Sequence, residues 1–349
     1  MKGQISTRVL RGSSLSRRVA GAVILCGVLG IVPYLAVTPQ QSEVEEVAQQ
    51  APQTGVTNST QNPLQIAILR WYDANLTTQF EVGKKPFGVA FAGATIWVTN
   101  KADDTVSKLQ ANDGGLVGTF TVGAGPQGVA FDGGNVWVAN QQSTTVTKLR
   151  ASDGVVLGTF AAGSSPSGVA FDGTDIWVTD STSSGSVTKL RASDGTVLGK
   201  FAVGAFPSAV IFDGTNIWVA NYSGNNVTKL ATCGTVLGTF SVGLGPMGLA
   251  FDGANVWVTN SGSNTVTKLR GSDGTTLGTF GVGTKPEGVA YDGANIWVAN
   301  LNSNNVTKLQ ASCGSKLGTF TVGVNPLGVA FDGANVWVTN SGTSTVSKL

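Results

Sequence analysis

The stretch PQGVAFDGGNVWVANQQSTTVTKLRASDGVVLGTFAAG, residues 126–163, decides the fold because near copies of it fill most of the chain. Its tryptophan recurs every 39 to 41 residues, at Trp97, Trp137, Trp177, Trp218, Trp257, Trp297 and Trp337. A repeat of that length is the sequence signature of an array, a solenoid or a propeller.

Each copy is predicted to form four short strands. Runs of β-branched and aromatic residues lie between turn signals, and no window has the period of a helix. Asp-Gly pairs such as Asp132-Gly133 and Asp153-Gly154 supply the positive φ of tight hairpin turns. We name the strands A (PxGVAF), B (NVWVAN), C (TVTKL) and D (LGTFxVG). Seven such units predict an all-β fold, a seven-bladed β-propeller of four-stranded blades.

The seventh copy ends with strand C, at residues 346–349. Residues 69–80 align without a gap on residues 149–160, which contain the turn between C and D. The segment LTTQFEVG, residues 76–83, is therefore predicted to be the N-terminal strand that closes the last blade, leaving no open sheet edge. Residues 65–69 also resemble a C strand and have no assigned place.

Four segments are predicted along the chain. Residues 1–18 carry five basic groups and form a basic cytoplasmic region, followed by an apolar run at 19–37. Residues 38–63 are polar and aromatic-free, which indicates a flexible linker, and 64–349 form the propeller. The apolar run can span a bilayer and lacks a good cleavage site, which favours a membrane anchor with the propeller outside the cytoplasm. The alternative is a cleaved signal peptide, which would leave a periplasmic or secreted protein.

Charge and composition argue against several functions. From residue 64 onward, 17 basic and 17 acidic residues balance, so the propeller has no electrostatic footprint for nucleic acid. The sequence has no histidine, the commonest general base and metal ligand. Eleven of these carboxylates occupy the turn positions of the repeat, ten of them in Asp-Gly pairs. The others show no paired-acid or metal-ligand spacing: Glu81, Asp103, Asp104, Asp175, Asp180 and Glu287. We expect no catalytic residue, metal or cofactor.

Three repeated features have structural interpretations. The tryptophans lie in mid-strand and are predicted to pack between blades, with sugar-stacking platforms as the alternative. The lysines of the VTKL motif are predicted to protect outer strand edges, with an anion-binding ring as the alternative. Cys233 and Cys313 lie two blades apart, too far for a disulfide, so they are predicted to be unpaired thiols.

Variation among the copies is concentrated in the D/A and B/C loops, which share one face of the predicted disc. Loops that vary over a rigid scaffold are where recognition is expected, although repeat drift is the alternative. The predicted binding surface consists of Lys84, Lys85, Phe87, Lys101, Phe206, Tyr222, Met247, Lys285, Glu287 and Leu327. The expected partner is a protein or glycan, bound by a monomeric propeller.

The WV[TA]N strand within PxGVAFDG…VTKL…GTFxVG resembles the YVTN and NHL-type β-propeller repeats of exported bacterial proteins, over about residues 69–349. That resemblance implies the blade fold and, more loosely, a surface, sensor or binding role. The repeat is also similar to that of streptogramin B lyases, which share seven blades. Those enzymes use a histidine acid/base and a magnesium site, and this sequence has no histidine to match.

The sequence therefore predicts an exported, non-catalytic binding or scaffold module. Two alternatives stay open: a degenerate lyase or lactonase, and a structural cell-surface protein.

Overall fold

The computed structural model describes residues 79–349 as seven four-stranded antiparallel sheets. The predicted seven-bladed, all-β propeller is confirmed. The segments 1–18, 19–37 and 38–63, strand-like residues 65–69 and most of the C/D turn before residue 79 lie outside the described residues. Within 79–349 no helix has the length and hydrophobicity needed to cross a bilayer.

Strand A begins at the repeat proline and is the innermost strand of each blade. Its bounds in blades 1 to 7 are Pro86–Ala92, Pro126–Phe131, Pro166–Phe171, Pro207–Phe212, Pro246–Phe251, Pro286–Tyr291 and Pro326–Phe331. Strand B carries the tryptophan, and its bounds are Thr95–Asn100, Asn135–Asn140, Asp175–Asp180, Asn216–Asn221, Asn255–Asn260, Asn295–Asn300 and Val336–Asn340.

Strands C and D complete each blade toward the outside. The C strands are Thr105–Gln110, Thr145–Arg150, Ser186–Arg191, Asn226–Ala231, Thr265–Arg270, Asn305–Gln310 and Thr345–Lys348. The D strands of blades 1 to 6 are Leu116–Thr121, Val156–Ala161, Val197–Ala202, Val236–Ser241, Thr276–Gly281 and Lys316–Thr321. One 3-10 helix, Leu301–Ser303, lies in the B/C loop of blade 6.

The D strand of blade 7 is Gln79–Glu81, at the start of the described residues, whereas the other strands of that blade lie at 326–348. It pairs antiparallel with strand C, with Gln79 opposite Ser347, Phe80 opposite Val346 and Glu81 opposite Thr345. The predicted closure by the N-terminal strand is thus confirmed for 79–81, while residues 76–78 lie outside the described part.

The core consists of one cluster at each junction between neighbouring blades, as illustrated by blades 1 and 2. Trp97 and Val106 of blade 1 pack on Val136, Val138 and Leu149 of blade 2. Six of the repeat tryptophans are fully buried and Trp297 is 8% exposed, so the prediction that they form core is confirmed. Burial of each indole contributes up to about 5 kcal/mol, from about 200 Å² at about 25 cal/mol/Å².

The A/B turn aspartates have a second role besides the turn. Asp132 Oδ1 accepts the amides of Gly134 and Asn135 at 2.9 and 2.6 Å, and its Oδ2 accepts the Trp137 indole N–H at 2.7 Å. Burial raises the pKa of Asp132, but these hydrogen bonds outweigh burial and leave the pKa below its ordinary value. The turn therefore also fixes the buried indole.

The prediction that the VTKL lysines protect outer edges is wrong, because strand C is not the edge and the lysines are buried or half-buried. Lys148 is 7% exposed and lies 5.1 Å from the ring centroid of Trp137. Its Nζ donates to the carbonyls of Ala192 and Ser193, in the next blade, at 2.7 and 3.1 Å. Lys108, Lys189, Lys229, Lys268 and Lys348 likewise combine a cation–π contact with a hydrogen bond to the next blade, whereas only the cation–π contact is seen for Lys308 among the described residues.

Candidate functional site

A central cavity of about 500 Å³ is lined by strand A of every blade. It opens on the face that carries the D/A and B/C loops, where Phe206 and Tyr222 are 42% and 43% exposed. Because strand A starts at that face, side chains just after each proline lie near the mouth and later ones lie deeper.

The cavity wall has three levels. The deep level is apolar and consists of Val89, Val129, Val169, Val210, Leu249, Val289 and Val329. The middle level is the residue that directly follows each proline: Phe87, Gln127, Ser167, Ser208, Met247, Glu287 and Leu327. The rim contains Gln141, Ser181, Phe206, Tyr222, Ser261 and Lys285.

A β-bulge at the start of strand A directs the middle-level side chain inward. In blade 2, Pro126 pairs with Asn140, but the register shifts before Val129 pairs with Val138. The glycine in this bulge packs against the backbone of the next blade, and a Cβ at Gly128 would collide with the carbonyl oxygen of Ser167. Glycine therefore allows the blades to approach closely, and the residue before it faces the cavity.

The rim is built from pairs of loop residues. The last D/A residue accepts a backbone hydrogen bond from the first B/C residue, as Phe206 O does from the amide of Tyr222 at 3.0 Å. Phe206 has φ 51° and Lys285 has φ 57°, a left-handed conformation that L residues rarely adopt. The residue before the repeat proline has a positive φ in four other blades as well, at Lys85, Gly125, Gly245 and Asn325, so this turn belongs to the repeat, and in these two blades it holds Phe206 and Lys285 at the mouth.

Seven of the ten residues in the predicted binding surface line this cavity: Phe87, Phe206, Tyr222, Met247, Lys285, Glu287 and Leu327. Lys101 lies beside it, with Nζ 5.5 Å from the ring centroid of Phe87. Burial, and then the charge of Lys85, lowers the pKa of Lys101. Lys84 and Lys85 are exposed and do not line the cavity.

Sequence reasoning missed the polar half of the middle level. Gln127 and Ser167 are 5% and 9% exposed and lie in blades 2 and 3. Ser167 Oγ donates to Gln127 Oε1 at 3.2 Å, Gln127 Nε2 donates to Gln141 Oε1, and Lys101 Nζ donates to that same oxygen at 3.3 Å. Both residues directly follow the repeat proline. Selecting that position in every copy, whatever the residue type, would have included them.

Two of the unexplained carboxylates are ion-paired within their own blade. Asp175 lies 2.9 Å from Lys189 Nζ, and Asp180 lies 2.9 Å from Lys200 Nζ. Burial raises the pKa of Asp180, but Lys200 and two loop amides outweigh burial and hold the pKa below its ordinary value. Both Asp180 and Lys200 replace residues of the repeat, Asn and Thr, in the same blade. The two substitutions therefore compensate each other's charge within one blade.

Glu287 is the carboxylate that lines the cavity. It is 7% exposed, and its Oε1 accepts a hydrogen bond from Ser261 Oγ at 3.1 Å. Burial raises the pKa of Glu287 to about 7, against the opposing effects of the Ser261 hydrogen bond and the charge of Lys285. Asp103 and Asp104 instead accept loop amides, from Lys84 and Gly125, at 2.7 and 2.8 Å.

The described part of the chain contains no cluster of three or more cysteine, aspartate and glutamate residues that could hold a metal. Cys233 and Cys313 are exposed and free, as predicted. Hydrogen bonds from Thr235 and Ser315 lower the pKa of their respective thiols.

The described chain is thus a seven-bladed β-propeller with a ligand-sized central cavity. Sequence comparison matches it to no protein-family profile and to no curated protein. Solved structures with a similar fold include hydrazine synthase from Kuenenia stuttgartiensis, at 17% identity and TM-score 0.68, covering 77% of this chain and 97% of that chain.

A streptogramin B lyase is similar at 18% identity and TM-score 0.67, covering 77% of this chain and 95% of the lyase. A catalytically inactive virginiamycin B lyase from Staphylococcus aureus with quinupristin has the same identity, 18%, and TM-score, 0.67, covering 77% of this chain and 98% of that one. At these identities the likeness is one of fold alone.

Proposed function

We propose that this propeller is a non-catalytic binding or scaffold module that captures a protein or glycan ligand at the mouth of its central cavity. The proposal rests on the diversity of side chains at the middle level of the cavity wall. Seven nearly identical blades present seven side chains there, and they range from Phe87 through Gln127 to Glu287. A rigid scaffold that varies mainly where it faces one cavity is suited to recognition.

The rim supplies the contacts that ligands commonly use. Phe206 and Tyr222 are adjacent, partly exposed aromatic side chains held by a shared backbone hydrogen bond. Aromatic faces of this kind pack on apolar side chains and on sugar rings, and they lose little conformational entropy on binding.

A lyase- or lactonase-like enzyme is the competing proposal. One observation favours it: Glu287 is buried and its pKa is raised to about 7, a value that suits a general base. General acid–base chemistry commonly needs a second proton-transferring group, and Glu287 is the one carboxylate among the cavity-lining residues. The binding proposal accounts for the whole wall, whereas the enzyme proposal uses one residue of it.

The proposed location is outside the cytoplasm, with residues 19–37 as membrane anchor. This proposal rests on five basic residues that precede a long apolar run. Membrane fractionation after replacement of residues 19–37 by a cleavable signal peptide should move the protein from the membrane to the soluble exported fraction. Retention at the membrane would contradict the anchor.

Affinity capture tests the binding proposal. The full-length chain is the bait for extracellular material from its native source, and captured proteins and glycans are identified separately. The double variant Phe206→Ala, Tyr222→Ala should lose capture. A matched control, Val236→Ala with Leu237→Ala, removes apolar side chains that are 49% and 53% exposed on the outer strand of the same blade, and should retain capture.

Two outcomes would contradict the binding proposal. Equal capture by both double variants would place recognition elsewhere. Turnover of lactone substrates that is lost in Glu287→Gln would favour the enzyme.

A further inference from the structure

Glu287 has one carboxylate oxygen that the protein leaves without a partner. Oε1 accepts the hydrogen bond from Ser261, whereas Oε2 accepts none from residues 79–349. Within the same residues, no lysine or arginine nitrogen lies within 4.0 Å of this carboxylate. A carboxylate that is 7% exposed, with no cationic nitrogen within 4.0 Å, is costly to ionise, and the charge of the more distant Lys285 offsets that cost only in part.

The backbone at Glu287 is held in place by the neighbouring blade. Thr259 Oγ1 donates to the carbonyl oxygen of Glu287 at 2.6 Å. Gly248, in the bulge of that blade, packs so closely that a Cβ there would collide with the same carbonyl. The carboxylate is therefore presented to the cavity by a fixed backbone and one oriented hydrogen bond, an arrangement suited to a preformed site.

The cavity around Glu287 is apolar on both sides. Met247 and Leu327 occupy the middle level in the two adjacent blades, and Val289 lies one step deeper. The polar side chains of the middle level in blades 2 and 3, on the far side of the ring, are already hydrogen-bonded to one another. A ligand group that reaches Oε2 of Glu287 therefore meets a carboxylate oxygen between apolar side chains, with Ser261 and Lys285 toward the rim.

Two positive groups lie at the mouth and would act against a cationic ligand. Lys101 Nζ is directed to Gln141 of blade 2 and over the ring of Phe87 of blade 1, away from Glu287 in blade 6. Lys285 is exposed on the rim, where solvent and salt screen its charge more than that of a buried group. These lysines would instead favour an anionic ligand, so the experiment below compares a cationic probe with an anionic probe of matched shape.

We propose that the cavity binds a ligand that carries a primary ammonium on an apolar body, with the ammonium on Oε2 of Glu287 and the apolar part between Met247 and Leu327. This inference rests on the proposed binding function and gives it a ligand class. An ammonium offers three donors and no acceptor, which complements a carboxylate oxygen that needs a donor. The ammonium can come from a free amine, a peptide amino terminus or a lysine side chain.

Three probes of matched shape test the charge requirement: 4-phenylbutylamine, 4-phenylbutanol and 4-phenylbutyrate, titrated into the full-length chain by calorimetry at pH 8. The amine should bind at least about tenfold more tightly than the alcohol and the acid, as charge-assisted hydrogen bonds are the stronger ones. Glu287→Gln should remove this preference. The control Val236→Ala, on the outer strand of blade 4 and outside the cavity, should retain it.

The affinity for the amine should also be about tenfold weaker at pH 6 than at pH 8, since most of the Glu287 carboxyl is protonated at the lower pH. Glu287→Gln should show no such change, whereas a purely steric role for Glu287 would predict no pH dependence in the wild type either. Two further probes, phenylalanine amide and Nα-acetyl-lysine amide, distinguish an amino terminus from a lysine side chain as the source of the ammonium.

Equal or tighter binding of the alcohol or acid, unchanged selectivity in Glu287→Gln, or no binding of any ammonium probe would each overturn this inference. None of these outcomes would by itself contradict the proposed binding function. That proposal fails only if the double variant Phe206→Ala, Tyr222→Ala retains capture or if lactone turnover depends on Glu287. Melting temperatures of all variants establish that each is folded at the temperature of titration.

Discussion

Replacing Glu287 with glutamine should stabilise the protein at neutral and alkaline pH. The native carboxyl keeps its proton up to about pH 7, whereas the ordinary value is 4.5. Between these values the native state binds more protons than the unfolded state, so the free energy of unfolding of the wild type falls as the pH rises. The difference between the two pKa values corresponds to a loss of about 3 kcal/mol in the free energy of unfolding, at about 1.4 kcal/mol for each pKa unit.

The measurement is urea unfolding followed by tryptophan fluorescence, at pH values from 4.5 to 8.5, for wild type and Glu287→Gln. The chain has no histidine, so no imidazole titrates in this window and the difference between the two proteins isolates Glu287. The variant should gain stability relative to wild type progressively above pH 4.5 and reach a gain of up to about 3 kcal/mol near pH 8.

A second variant tests the cause of the shift. Ser261→Ala removes the hydrogen bond that favours the ionised carboxylate, so it should raise the pKa of Glu287 further and make the loss of stability at high pH larger. A stability difference between wild type and Glu287→Gln that stays constant over this pH range would refute the reasoning, because it would mean that the carboxyl is not desolvated in the native state.

Two further predictions concern contacts between blades. Gly128→Ala should lower the free energy of unfolding by about 1 to 3 kcal/mol, since its Cβ would collide with the carbonyl of Ser167, and urea unfolding with no loss would contradict that close approach. Lys148→Met should cost about 1 to 3 kcal/mol, because it leaves two carbonyls of the next blade without a donor and removes the contact with Trp137; calorimetric melting no lower than that of wild type would show that this link is dispensable.

The sequence predicted the fold well because its determinants are local and repeated. Each strand, each Asp-Gly turn and each buried tryptophan is specified within about 40 residues, and the copies reinforce one another. Even the closing strand was predictable, because Phe80 aligns on Phe160 and the equivalent residues of other blades. In the structure Phe80 contacts Trp337 as Phe160 contacts Trp137.

The features that sequence reasoning missed depend on neighbouring blades. The VTKL lysine resembles an edge residue in its own strand, and only the next blade shows that its ammonium is held by carbonyls such as that of Ala192. The binding face was predicted from the variation among the loops, but the residues selected on it were mainly large or charged. It therefore included Lys84, which does not line the cavity, and omitted Gln127, which does.

The central structural claim is that strand Gln79–Glu81 completes the blade formed by the C-terminal strands, and a matched pair of substitutions tests it most directly. The ring centroids of Phe80 and Trp337 are 5.7 Å apart, and those of Phe160 and Trp137, within blade 2, are 5.6 Å apart. Phe80→Ala and Phe160→Ala should therefore lower the free energy of unfolding by similar amounts, about 2 to 4 kcal/mol each. A loss for Phe160→Ala with none for Phe80→Ala would contradict the closed ring.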